Sequence, residues 1–119
     1  MPEDHQLHEG GGLRTALANA MVGIMKQYYG KGPTGAKAWI LDDYVLIVME
    51  DGLTRNEETL VASGQEDLVR SYRLAFQEAI RDQMTQAVAE LVGREVLTYH
   101  SQIVFHPPRA FEIFVLAPE

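Results

Sequence analysis

The stretch Ala38-Trp39-Ile40-Leu41-Asp42-Asp43-Tyr44-Val45-Leu46-Ile47-Val48-Met49 decides the fold, because two apolar runs with strand character flank a pair of turn-tolerant residues. It reads as a tight β-hairpin with Asp42-Asp43 at its tip. Side chains alternate across a strand, so Tyr44, Leu46 and Val48 share one face of the second strand and Val45, Ile47 and Met49 the other. Both faces are apolar, which suits a central strand or one covered on both sides. A single helical layer covers one face, so the second points to a homodimer.

Upstream of the hairpin the period is helical. Leu13, Leu17, Ala20, Met21, Ile24, Met25 and Tyr28 recur at three and four, predicting a helix over about Gly12 to Tyr29 with one buried stripe. Gly30 stands where a left-handed C-terminal cap belongs, and Pro33 keeps the helix from resuming. Downstream, Thr54 and Glu57 form a capping-box pair that opens a short helix to about Ala62. After Ser63-Gly64, the residues Leu68, Tyr72, Ala75, Phe76, Ala79, Ile80, Met84, Ala87, Val88 and Leu91 predict one long amphipathic helix ending before Gly93. A strand follows, with Leu97, Tyr99, Ser101, Ile103 and Phe105 on one face, then a break at His106-Pro107-Pro108 and a returning strand from Arg109 to Ala117. The order αββααββ implies an α+β fold: a two-layer, mainly antiparallel four-stranded sheet, two hairpins packed on helices.

The whole chain has 119 residues and 46% hydrophobic content, enough for one domain, read as residues 13–119 behind a lead-in of residues 1–12. A net charge of −7 argues against sequence-independent nucleic-acid binding, which depends on a basic surface. The chain has no cysteine, so disulfides, thiolate chemistry and cysteine metal sites are excluded, in keeping with a reducing cytoplasm. The N-terminal residues contain no apolar run resembling a secretory signal. The longest uninterrupted apolar run is Val45 to Met49, far short of the roughly 20 residues of a spanning helix. Membrane association is therefore expected through a partner and not by insertion.

The loop Gly30-Lys31-Gly32-Pro33-Thr34-Gly35-Ala36-Lys37 is the main candidate for chemistry. Its glycine spacing matches a phosphate loop, but Ala36 stands in place of the lysine and Lys37 in place of the hydroxyl residue. The element order is also inverted, since this loop leaves a helix and enters a strand. A structural elbow is one reading; a small-anion or nucleotide sensor using Lys31, Gly32, Thr34, Lys37 and Arg94 is the other.

The other polar residues suggest less. His5 and His8 offer two potential metal ligands with no third nearby, so no metal site is expected. His100 and Ser101 point to opposite faces of a strand and cannot pair as base and nucleophile. Glu57-Glu58 and Glu66-Asp67 open helices, where acidic groups oppose the macrodipole. Arg70 and Arg73 read as an ion-paired helix surface with Glu66. Neither catalysis nor a cofactor is expected.

Six segments then carry a family resemblance: GKGPT at Gly30 to Thr34, the hydrophobic hairpin, LTRNEETL at Leu53 to Leu60, VRSYRLAFQ at Val69 to Gln77, LVGREV at Leu91 to Val96 and FEIFVL at Phe111 to Leu116. In this order, over about Leu13 to Leu116, they resemble the MpsC-type family of small bacterial domains. Ser101 matches a serine of that family, whereas Gln102 stands where an acidic residue commonly follows. The resemblance implies a cytoplasmic, non-enzymatic accessory or regulatory subunit working with a membrane transport protein in Na+ translocation and membrane-potential generation.

Overall fold

The computed structural model describes residues 11–119. Helix α1 (Leu13–Tyr29) leads into the hairpin of β1 (Gly35–Leu41) and β2 (Tyr44–Glu50). Three helices follow, α2 (Arg55–Ala62), α3 (Glu66–Ala79) and α4 (Arg81–Val92), before β3 (Val96–Phe105) and β4 (Pro108–Leu116) complete the chain. All neighbouring strands are antiparallel, in the order β1-β2-β4-β3, so the two hairpins meet along β2 and β4. The predicted α+β architecture is the observed one. His5 and His8 lie outside the described residues.

Helices cover one face of the sheet. Val45, Ile47 and Met49 of β2 and Phe114 and Leu116 of β4 meet Leu17, Met21 and Met25 of α1 and Met84 and Val88 of α4. A second, smaller cluster of Leu53, Val69, Ile103 and Phe105 lies beneath α2 and α3, with Leu60 and Val61 packed against it. Unbranched methionines fill irregular space between helix and sheet at low rotamer strain.

Three features differ from the sequence expectation. The long helix is broken at Ile80, whose backbone (φ −105, ψ 15) leaves the helical region. A straight helix spanning residues 66–92 would extend about 40 Å, overrunning strands of at most about 34 Å. The bend at buried Ile80 keeps both halves on the sheet. In β3, an irregularity between Val96 and Thr98 reverses the alternation, so Leu97 is exposed while Tyr99, Ile103 and Phe105 are buried. Finally, α3 is turned away from its apolar stripe. Leu68 and Tyr72 are 55% and 57% exposed, whereas Val69, Arg73 and Gln77 face the sheet.

The loop after α1 is an elbow in which only Gly30 carries a conformational demand. Its φ of +88 is the left-handed C-cap, with nothing within 4 Å of an added Cβ. A Cβ at Gly32 would make ordinary contacts at 3.5 Å, without a positive φ. Gly30→Ala is therefore expected to cost about 1 kcal/mol and Gly32→Ala less than about 0.5 kcal/mol. Urea unfolding midpoints of the two variants check this; equal losses would assign the strain elsewhere.

Candidate functional site

The inward turn of α3 brings a group of buried polar side chains into the core: Glu57 from α2, Arg73 and Gln77 from α3, and Glu112 from β4. Alternation in β4 places Glu112 on the covered face between Ala110 and Phe114, opposite Ile47 of β2 and Ser101 of β3. A wholly buried carboxylate needs donors. Tyr99 donates its hydroxyl to Glu112 Oε1, and Ser101 Oγ donates to Oε2 at 3.0 Å. Gln77 Oε1 lies 3.3 Å from the same tyrosine oxygen, and Gln77 Nε2 donates to Met25 Sδ at 3.7 Å.

Arg73 stands on the other side of this group. It donates to Gly52 O at 2.7 Å, and its Nε lies 3.3 Å from Glu57 Oε2. Its guanidinium sits over the Tyr29 ring at 4.3 Å. Glu57 also performs its predicted capping role: its Oε1 accepts from Thr54 N at 2.9 Å, while Thr54 Oγ1 accepts from Glu57 N at 3.2 Å. The expected solvated arginine face is thus only half present. Arg70 pairs with Asp67 at 2.8 Å at the surface, and Glu66 pairs with His106 at 2.6 Å instead of with an arginine.

One buried cation therefore faces two buried carboxyl groups. Burial pushes Glu112 up to about 7, against the opposing pull of its Tyr99 and Ser101 hydrogen bonds and the more distant Arg73 charge. Burial also raises Glu57, held back by the Thr54 amide and Arg73, and lowers Arg73 against the attraction of Glu57 and Glu112. Tyr99 is raised by burial and by the neighbouring Glu112 charge, so it stays a hydrogen-bond donor. Chemically, the cluster can hold and release a proton near neutrality. His100 does not reach it; it lies exposed on the other sheet face, 3.2 Å from Thr98 Oγ1.

The loop candidates occupy two places. Lys31 donates Nζ to Leu53 O at 2.7 Å and lines, with Arg73 and Arg109, a cavity of about 20 Å³, enough for about one water. Thr34 Oγ1 lies 3.3 Å from Asp51 Oδ2, and Gly32 packs beside Val22 and Lys26. Lys37 points from the opposite, exposed face of β1, across from Val48. Arg94 lies at the far end of the hairpin, donating to Asp42 O at 2.9 Å, Asp43 Oδ1 at 2.5 Å and Ala117 O at 2.7 Å. Lys31, Gly32 and Thr34 are thus brought near one another, and Lys37 and Arg94 are not. The convergence of Lys31, Arg73 and Arg109 has no sequence signature, since it joins three separate elements. Glu112 does have one: it is the single acid within the apolar run Phe111 to Leu116. Among the described residues, no group of three or more acidic or histidine side chains is placed to hold a metal ion.

The sign of the pH dependence follows from Glu112. Between its ordinary value of 4.5 and about 7, the folded chain retains a proton that the unfolded chain has released. Folding stability should therefore fall as pH rises through that window, by up to about 3 kcal/mol from this group, and level off above it. Urea unfolding of wild type and Glu112→Gln at pH 5 and pH 8 tests this, with the pH-dependent loss expected to shrink in the variant. An unchanged loss would place its origin outside Glu112. Arg73→Leu strands Glu57 in the core and is expected to cost about 3–5 kcal/mol by the same measurement.

No curated protein and no solved structure gives a significant match to the chain. The family described as the Na+-translocating membrane potential-generating system (MpsC) matches over residues 10–118, nearly the whole length. With the α+β order also as expected, the chain belongs to the MpsC family.

Proposed function

We propose that this chain is a non-enzymatic accessory subunit of a Na+-translocating, membrane-potential-generating system, cytoplasmic and bound to the membrane through a transport protein. Family membership supports the system. Among the described residues, no helix is long and apolar enough to cross a membrane. Family membership carries this reading, and the uncovered face of the sheet supports a homodimer.

That face is built from the alternate residues of every strand. Trp39 and Leu41 of β1, Tyr44, Leu46 and Val48 of β2, and Phe111, Ile113 and Val115 of β4 form a continuous apolar surface, with Thr98, His100 and Gln102 of β3 along one margin. Leu41 and Tyr44 are more than half exposed. A contiguous apolar area with aromatic residues and little charge has the composition of an interface core. In the proposed assembly a second copy covers it. The chain carries a net charge of −7, yet among the described residues this face bears only Lys37 and the Glu50–Arg109 pair, separated by 3.6 Å. Two copies can therefore meet here about a twofold axis without opposing their acidic surfaces.

Light scattering at micromolar concentration is expected to show a dimer for wild type and a monomer for Ile113→Lys, placed mid-face between Leu46 and His100. A monomeric wild type would contradict the dimer. Affinity capture from the native host should recover a membrane protein of the cation-transport system. Capture yielding no membrane protein would contradict the accessory role, whatever the oligomeric state.

A further inference from the structure

Lys31, Arg73 and Arg109 come from the α1–β1 loop, α3 and β4, yet they line one cavity of about 20 Å³. That is room for a single occupant the size of a water or slightly larger. Among the described residues that line the cavity none is acidic, and the wall between the cations is apolar, with Met25, Met49 and Ile103. Three charges of one sign repel one another, and more strongly where an apolar wall lowers the dielectric. A counter-ion between them turns that repulsion into attraction.

The hydrogen bonds at the wall leave this charge in place. Lys31 Nζ donates to Leu53 O, Arg73 Nη2 to Gly52 O and Arg109 Nη1 to Pro108 O, each at 2.7 Å. All three acceptors are neutral carbonyls of residues that line the cavity. An ammonium carries three donors and a guanidinium five, so one carbonyl apiece leaves donors over. The carboxylates near these cations belong to residues outside the lining: Glu57 at 3.3 Å from Arg73, and Glu50 and Asp51 at 3.6 and 3.7 Å from Arg109. Those separations exceed the about 2.7–2.9 Å of a tight charged hydrogen bond. A water in the cavity brings two hydrogens of its own to a wall already rich in donors, whereas an anion only accepts.

We propose that this cavity is a binding site for a monatomic anion of chloride size, held among Lys31, Arg73 and Arg109. Chloride is little larger than a water and imposes no fixed coordination geometry, so it fits where a polyatomic oxyanion such as sulfate does not. A Cβ at Gly52 would stand 3.4 Å from Arg73 Nη2 and 3.7 Å from Pro33, so the glycine keeps this wall open. Exposed Lys31 and half-buried Arg109 give the ion its entry, and Arg73, 4% exposed, forms the inner end. The site is separate from the uncovered sheet face, so it stands or falls independently of the accessory role and the dimer.

The test titrates the full chain with sodium chloride, bromide or sulfate at an ionic strength held constant with sodium gluconate, and follows amide chemical shifts by NMR. Saturable shifts at Gly52, Leu53, Ile103 and Ala110 are expected with chloride and bromide, half complete at about 10 mM, and none with sulfate. Lys31→Met, at an exposed position, should weaken chloride binding about tenfold while circular dichroism shows an unchanged fold. Arg109→Gln should weaken it likewise, and supplies the same reading if the Lys31 variant is unstable. Lys37→Met removes an equal charge from a residue that does not line the cavity and should leave binding unchanged. Shifts that are the same for sulfate as for chloride, or that fail to saturate by about 200 mM, would mean general screening or a cavity holding only water, and would overturn the proposal. So would shifts mapping away from the cavity, or binding unaltered in both Lys31→Met and Arg109→Gln.

Discussion

The rotation of α3 about its axis is set by Arg73, and much of the structure depends on it. A guanidinium placed in a core must find acceptors and counter-charge at once. Here Gly52 O supplies the acceptor, Glu57 the charge and Tyr29 a π-face. Those partners come from the β2–α2 connection, α2 and the end of α1, so one side chain ties three segments of the helical layer. With Arg73 turned inward, Gln77 follows one turn later and meets Tyr99, while Leu68 and Tyr72 are forced outward. The polar core and the exposed Leu68 and Tyr72 are two results of the same orientation.

The sheet divides the molecule in a complementary way. Its covered face accommodates Glu112 among Ala110, Phe114 and Ile47 because β3 supplies Tyr99 and Ser101 at the matching register. Among the described residues, no helix lies against its other face. The two faces therefore carry inverted chemistry relative to simple expectation: ionisable groups inside and tryptophan, tyrosine and leucine outside. A fold organised only for its own stability would gain by the opposite placement. Such departures from local consistency are characteristic of surfaces and sites kept for function.

Much of this was legible in the chain. The period of α1, the cap at Gly30, the Thr54–Glu57 capping box and the turn at Asp42-Asp43 are local, and each formed where its residues indicate. The two apolar faces of β2 also pointed to a central strand, and β2 lies between β1 and β4. The site was much less visible. Arg73 looks like a surface arginine because Arg70 and Glu66 stand at helical spacing from it, and only the packed position of Glu57 shows otherwise. Lys31 was legible as a loop cation, but its neighbours Arg73 and Arg109 arrive from remote segments. Ile80 carries no glycine or proline to announce a bend; the finite length of the sheet imposes it.

By itself, the sequence determined the element order, the antiparallel hairpins and the membership of one domain family, since these rest on periodicity, caps and turns that act over a few residues. Only the tertiary structure decided which face of α3 is buried, where the long helix bends, and that Glu112, Tyr99, Ser101 and Gln77 form one network. Those outcomes depend on satisfying buried polar groups with partners up to 52 residues away, as in the Gln77–Met25 contact. Hydrophobic period alone turns α3 to the wrong side, because it assigns no weight to the carboxylate awaiting Arg73.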